Sequence, residues 1–240
     1  MQIIYTKKLV RHIIDECYPS GDICTNYKES LKTEKNLREK FEHPLKSAKD
    51  VKDRLDAVNA KYITRYKKED LPKLAEIIFQ RLVKRGFVKN PPPNLSPEST
   101  KPFAEHIKQV LADSHNRGLK RGYSLVTKFH FFSFPNSFVI FDSLSAYSIQ
   151  MWAYFAFKDR GEEYENFIYE RIADPSGDGY QGVLDFYVNL FKVAPEGMAE
   201  VEDWAKKLTK EFDFRITSLD LIDKFLWICE GDPRYLGFLD

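Results

Sequence analysis

Residues 124–143, SLVTKFHFFSFPNSFVIFDS, are the most informative stretch of this chain. Phe, Val, Ile and Leu dominate the stretch, yet it contains one lysine, one histidine and one aspartate. So apolar a segment is expected in a core, where a charge is costly unless it is paired. Lys128 and Asp142 therefore lie either at the rim of that core or inside it, where a functional role would account for them. This makes them the leading candidates for catalytic residues.

The stretch divides into short elements that predict a path folding back on itself. Residues 124–133 have the composition of a buried helix, and Pro135, Asn136 and Ser137 predict a turn. Residues 139–141 are β-branched or aromatic and favour an extended conformation. Asp142 then suits the N-cap of an apolar helix that ends before Gly161.

Two explanations compete for each of the charged side chains. A lysine at an apolar site loses its proton more easily, and a neutral amine is a nucleophile that forms Schiff bases. A nearby carboxylate can then shuttle a proton or stabilise a cationic sugar. The ordinary explanation is a core-edge lysine and a helix-capping aspartate. The residues favour capping for Asp142 and leave Lys128 open between the two.

The rest of the chain predicts helices separated by clear breaks, so we expect a mainly α, multi-helix globular fold. Pro44 should interrupt the helical stretch over 28–68, and Gly86 and Gly118 should end two later helices. A further helix is expected over 162–173. We expect three parts: a basic helical region (1–90), a Pro-rich linker or loop (91–102), and a helical domain (103–240) with the candidate site.

Composition excludes several classes of protein. None of the apolar runs in the 240 residues reaches the roughly 20 needed to span a bilayer, and the charged amphipathic start is unlike a signal peptide. Three cysteines without CxxC-type spacing fit a reducing cytoplasm and argue against a disulfide framework or a zinc finger. Metal-protease, P-loop and EF-hand patterns are missing from the sequence, so we expect neither a metal nor a cofactor.

The small net charge of +1 conceals two halves of opposite sign. Residues 28–128 carry 24 Lys and Arg against 13 Asp and Glu, whereas residues 129–240 carry 10 against 20. A basic half indicates a polyanion or an acidic partner. The alternative is that the basic half packs on the acidic half, and composition does not separate these two explanations.

Residues 124–143 resemble the catalytic segment of helix-hairpin-helix DNA glycosylases, above all the 8-oxoguanine DNA glycosylase-like branch. In that family a hairpin leads into a helix with a Schiff-base lysine, and a catalytic aspartate follows near the start of the next helix. Thr127 and Lys128 match the lysine position, and residues 138–142 (FVIFD) match the approach to the aspartate. Residues 214–230 are similar to a C-terminal helix of such proteins. The family's hairpin is rich in glycine, whereas residues 121–126 contain one.

The resemblance implies a DNA glycosylase/lyase that extrudes a nucleotide from the duplex. Lys128 would attack the sugar, and Asp142 would assist the departure of the base. The implied stacking residues around the extruded base are Phe129, Phe132 and Trp152. Basic residues that would meet the DNA backbone are Lys84, Arg85, Arg117, Lys120 and Arg121.

The alternative function is a non-enzymatic helical module that binds nucleic acid or a protein partner. A microbial defence protein built on a reworked glycosylase fold is a further possibility. DNA is the expected partner, with a protein partner as the alternative; a membrane is not expected, and the expected location is the cytoplasm.

Overall fold

The computed structural model describes residues 2–17, 22–62, 64, 66–120, 122–157, 179–230 and 236. Within these residues the chain forms ten α-helices, one 3-10 turn and no β-strand, which confirms the mainly α fold. The helices are α1 (Gln2–Cys17), α2 (Asp22–Glu42), α3 (Ala48–Tyr62), α4 (Leu71–Lys84), α5 (Thr100–Asn116), α6 (Tyr123–Ser133), α7 (Ser143–Phe157), α8 (Gly179–Val193), α9 (Pro195–Phe212) and α10 (Ser218–Cys229).

The helix ends fall where proline and glycine predict them. Pro44 separates α2 from α3. Gly86 and Gly118 follow the ends of α4 and α5 with φ angles of +76° and +73°, a left-handed conformation that favours glycine. The helix predicted over 162–173 lies outside the described residues.

The chain divides into two compact units. The first unit is built from two segments, residues 1–34 and 141–240, and the second is the continuous segment 35–140. The second unit carries 22 Lys and Arg against 11 Asp and Glu, a net +11, whereas the first carries 15 against 25, a net −10. We therefore call them the acidic unit (1–34 and 141–240) and the basic unit (35–140).

The acidic unit buries the apolar face of α1 among helices from the C-terminal half of the chain. Helix α1 packs against α7, α8, α9 and α10, and α7 also packs against α10. Leu9 and Ile13 of α1 are fully buried, as are Leu190 of α8 and Leu208 of α9. Burial of side chains of this size, at roughly 1.5–3 kcal/mol each, is the main favourable contribution to such a core.

A capping box fixes the start of α10. The Thr217 hydroxyl accepts a hydrogen bond from the Asp220 backbone N–H, and the Asp220 carboxylate accepts one from the Thr217 backbone N–H at 2.7 Å. Two N–H groups at the helix start, which have no partner inside the helix, are thereby satisfied.

The basic unit is organised around α6. Helix α3 packs against α4 and α6, and α5 likewise packs against α4 and α6. The apolar side chains that meet in this unit are Val51, Leu55, Leu74, Ile78, Val110 and Phe129, each at most 1 % exposed.

The Pro-rich stretch over 91–102 belongs to the basic unit and does not separate two units. Its first part is a loop, and α5 already begins at Thr100. The loop is tied to the turn after α6, because Leu95 N donates to the Asn136 carbonyl (2.7 Å) and Ser137 Oγ to the Pro92 carbonyl (3.2 Å). The two units have other bounds than the expected parts 1–90, 91–102 and 103–240, which stay a prediction.

Replacing the cap of α10 should destabilise the acidic unit. We expect Thr217→Ala to lower the free energy of unfolding by about 1 kcal/mol, because the Asp220 N–H loses its acceptor. Thr217→Ser keeps the hydroxyl and should retain most of that stability. Urea unfolding followed by circular dichroism measures both variants, and equal losses in Ser and Ala would contradict the capping role.

Candidate functional site

Helix α6 is buried on all sides in the basic unit. Every residue from Leu125 to Phe132 is buried, although the run includes Thr127, Lys128 and His130. A polar group in such a place must find its partners inside the protein. The contacts of these three side chains therefore define what α6 can do.

The Lys128 amino group lies beside Ser124, in the first turn of α6. The residue is 5 % exposed, and its Nζ donates a hydrogen bond to Ser124 Oγ at 2.9 Å. The same atom lies 5.3 Å from the centre of the Tyr62 ring. An amino group over an aromatic ring is attracted by the ring quadrupole, so the Tyr62 ring helps to hold the Lys128 side chain in place.

A close approach explains the glycine that precedes α6. A Cβ atom on Gly122 would lie 2.7 Å from Cε2 of the Tyr66 ring, closer than real side chains allow. Tyr66 is 5 % exposed, and burial raises the pKa of its hydroxyl to about 12. Packing of the Tyr66 ring against the backbone therefore requires glycine at this position.

Asp142 caps helix α7 in the acidic unit. Its Oδ1 accepts hydrogen bonds from the backbone N–H groups of Leu144 (3.2 Å) and Ser145 (3.0 Å). Ser145 in turn donates from its hydroxyl to Asp223 of α10 at 3.0 Å. This is the capping role that the residues favoured for Asp142.

The candidate catalytic residues belong to different units. The chain passes from the basic to the acidic unit between Ile140 and Phe141. Lys128 therefore lies in the basic unit and Asp142 in the acidic unit. Each side chain has contacts within its own unit. Joint action of Lys128 and Asp142 on a substrate stays a prediction.

The three aromatic residues predicted to stack on a base are all buried. Phe129 and Phe132 are 0 % and 6 % exposed in the basic unit, where both rings contact Phe41. Trp152 is 3 % exposed in the acidic unit, with its ring 5.2 Å from that of Phe186. All three act as core side chains here, and their stacking on a base stays a prediction.

Four of the five predicted DNA-contacting residues lie at or beyond the C-terminal ends of α4 and α5, and the fifth, Arg121, lies outside the described residues. An ion pair joins the two helices: Arg81 Nε donates to Asp113 Oδ2 at 2.6 Å. This bond, together with the positive charges of Arg117 and Lys84, holds the pKa of the Asp113 carboxyl below its usual value.

Three cations at these helix ends point into solvent. Arg117 lies 3.4 Å from Glu76, but Lys84, Arg85 and Lys120 form no ion pair within the described part of the chain. We use the name basic face for the cations in the C-terminal turns of α4 and α5 and just beyond them, which are Arg81, Lys84, Arg85, Arg117 and Lys120. Cations near helix C-termini also complement the helix dipole, which accounts for part of their placement.

Sequence reasoning missed a pair of histidines in the core of the basic unit. His106 of α5 and His130 of α6 are both fully buried, with their Nε2 atoms 2.9 Å apart. His130 Nδ1 lies 2.8 Å from the Val126 carbonyl oxygen, which can only accept, so this nitrogen carries hydrogen. His130 is thus a core histidine whose Nδ1 donates to a backbone carbonyl.

A surface cleft of about 550 Å³ lies where α2 leads into α3. Arg54 lines this cleft and is 5 % exposed. Its guanidinium donates a hydrogen bond to the His43 carbonyl and lies 5.0 Å from the centre of the Phe41 ring. Burial lowers the pKa of this guanidinium to about 10. The carboxylates of the cleft are engaged as well, since Asp53 and Asp56 pair with lysines of α3.

Neither a metal site nor a membrane span is found in the described residues. No group of three or more His, Cys, Asp and Glu side chains within them is placed to hold a metal ion. None of the described helices is both long enough and apolar enough to cross a bilayer. A search for similar proteins found no matching family model, no matching curated protein and no matching solved structure.

Substitutions at Asp142 separate capping from charge. We expect Asp142→Asn to keep the stability of the acidic unit, because asparagine caps helices as well as aspartate does, whereas Asp142→Ala should cost about 1 kcal/mol. Thermal unfolding by circular dichroism compares the two variants. A loss in Asn as large as that in Ala would show that the carboxylate is needed for a reason other than capping.

Proposed function

We propose that this protein binds duplex DNA through its basic unit. The observation that carries the proposal is the coincidence of charge and structure: the segment that packs as one unit, 35–140, carries the net +11. A double helix presents one negative charge for about every 1.7 Å of its axis, and neutralising phosphates releases the counterions condensed on them. A compact unit with this excess of cations is suited to that release.

The basic face supports the proposal with named cations. Its side chains come from two helices, α4 and α5, that the Arg81–Asp113 ion pair joins. Lys84, Arg85 and Lys120 are exposed, so they are available to phosphate oxygens without first breaking an ion pair of the described structure. Contacts of this kind position a protein on a duplex without reading its sequence.

Removing three cations from the basic face should weaken DNA binding and reduce its salt dependence. We expect Lys84→Ala/Arg85→Ala/Lys120→Ala to lower the slope of log K against log salt concentration by roughly 3, at about 0.9 for each lost phosphate contact. Fluorescence anisotropy with a labelled duplex of about 20 base pairs gives the slope, measured at salt concentrations from about 50 to about 200 mM.

The matched control removes three exposed lysines from the acidic unit. Lys7→Ala/Lys192→Ala/Lys210→Ala changes the net charge by the same amount and should leave the slope almost unchanged. Equal losses in both triple variants would mean that net charge alone drives binding. No salt-dependent binding by the unaltered protein would overturn the proposal and favour a protein partner for the basic unit.

A second candidate is the glycosylase/lyase activity that the resemblance implies. The observation that favours it is the environment of Lys128. This lysine is 5 % exposed, and a hydroxyl and an aromatic ring position its amino group. A lysine held in this way is a pre-positioned nucleophile once it has lost its proton. Ser124 and Tyr62 would then be the groups that orient the amine.

The proposed chemistry begins when the neutral Lys128 amine attacks C1′ of the damaged nucleotide. The bond from C1′ to the base breaks, and the electron pair leaves with the base, which takes up a proton. The attached nitrogen then loses a proton, and its lone pair expels O4′, which keeps the electron pair of the C1′–O4′ bond and takes up a proton. This leaves a protonated imine between Nζ and C1′. The carboxyl group that the resemblance assigns to the proton transfers is Asp142.

Borohydride should trap that imine if the second candidate is right. We expect incubation with duplexes containing an oxidised base or an abasic site to give a covalent adduct, detected as a shifted band on a denaturing gel. Lys128→Met removes the amine at similar volume and should abolish the adduct, whereas Lys108→Met, at an exposed position of α5, should keep it.

Absence of the adduct with every lesion tested would exclude the lyase and leave DNA binding as the function. An adduct that survives in Lys128→Met would exclude this lysine as the nucleophile. Asp142→Asn, which keeps the cap, then reports whether the carboxylate contributes to formation of the adduct.

A further inference from the structure

The hydrogen bonds of His106 and His130 define one arrangement of protons. Because His130 Nδ1 donates to the Val126 carbonyl (2.8 Å), the neutral ring has its lone pair on Nε2. The contact between the two Nε2 atoms, at 2.9 Å, then requires His106 Nε2 to be the donor. His106 therefore carries its lone pair on Nδ1, a buried atom with no hydrogen-bond partner among the described residues.

The pair lies in a shell of aromatic rings that cannot solvate a charge. Phe87 and Phe138 lie 5.4 and 6.0 Å from the His106 ring, and the Phe129 ring is 5.3 Å from that of His130. Both histidines are 0 % exposed. An imidazolium in this shell would lose its hydration without a counter-charge, which is costly.

The charged groups that act on the pair are cations. Arg85 and Arg81 of α4 act on His106. The charged residue nearest to His130 along α6 is Lys128, two positions before it. Burial is the first cause that lowers the pKa of His106, to about 2, and repulsion from His130 and the two arginines adds to it. Burial also lowers the pKa of His130, to about 4, against the opposing effect of its bond to Val126.

The geometry sets a limit on how many protons the pair can hold. One added proton can be accommodated if a single hydrogen stays between the two Nε2 atoms. A second added proton places hydrogen on both Nε2 atoms, which cannot then remain 2.9 Å apart. Full protonation therefore requires the two rings to move apart, which breaks the side-chain hydrogen bond between α5 and α6.

We propose that the His106–His130 pair is an acid-sensitive latch that holds α5 against α6 and opens the basic unit when the pair takes up protons. The latch is a property of the folded unit and does not rest on the proposed function. Its consequence would be that mild acid disrupts the basic unit before the acidic unit.

The direction of the pH effect follows from proton linkage. Above about pH 6.5, the usual pKa of histidine, folded and unfolded chains hold the same protons on these rings. As pH falls below that value, the unfolded chain binds two protons that the folded pair excludes, so stability is lost towards pH 4. The ratio of closed to open molecules should fall by up to about 100-fold per pH unit near pH 5, tenfold for each histidine.

Hydrogen exchange and ring NMR test the latch on the unaltered protein. After correction for intrinsic exchange rates, protection of the α5 and α6 amides should fall steeply between about pH 7 and pH 5, which brackets the usual pKa of histidine. Protection of the α10 amides should stay constant over the same range. At pH 7, ring nitrogen NMR should show hydrogen on Nδ1 of His130 and on Nε2 of His106.

Two double variants isolate the pair. His106→Leu/His130→Leu removes both titrating rings and should make α5 and α6 protection nearly independent of pH across the window. His43→Leu/His115→Leu, at two exposed positions, should keep the full decline. If the core variant does not fold, the ring titration of the unaltered protein decides: both rings titrating near pH 6.5 with α5 and α6 still protected would overturn the latch.

Discussion

The burial of α6 on all sides is the constraint on which the basic unit depends. An amphipathic helix can turn its polar side chains to solvent, but α6 is covered from Leu125 to Phe132. Each polar group on it must therefore be matched by a neighbour. Thr127 donates to the Tyr123 carbonyl, and Lys128 donates to the Ser124 hydroxyl. His130 forms a hydrogen bond with His106 on α5. The last of these bonds also orients α5 against α6.

Local features of the fold could be read from the sequence because they depend on neighbours along the chain. Pro44 ends one helix, Gly86 and Gly118 adopt the left-handed conformation, and Asp142 accepts from the N–H groups that follow it. The Lys128–Ser124 bond belongs to this class as well. A spacing of four residues places both side chains on the same face of a helix, so that contact was open to prediction.

The remaining features depend on contacts between residues far apart in sequence. His106 and His130 are separated by 24 positions, and neither helical spacing nor composition relates them. Tyr66 and Gly122 come together in the same way, which gives the glycine a packing role that its neighbours along the chain do not reveal. The grouping of the prolines with the basic unit likewise rests on bonds from 92 and 95 to the turn at 136–137.

The order of the two units along the chain has a consequence for how the protein is made. The basic unit is an insertion: its 106 positions (35–140) interrupt a host whose first helix, α1, packs on helices that begin only at residue 143. A ribosome works from the N-terminus, so every residue of the insert is synthesised before the host can close its core. Until then the apolar face of α1 has none of these helices to pack against. The nascent chain also carries the cationic basic unit before the acidic residues of 141–240 have been synthesised.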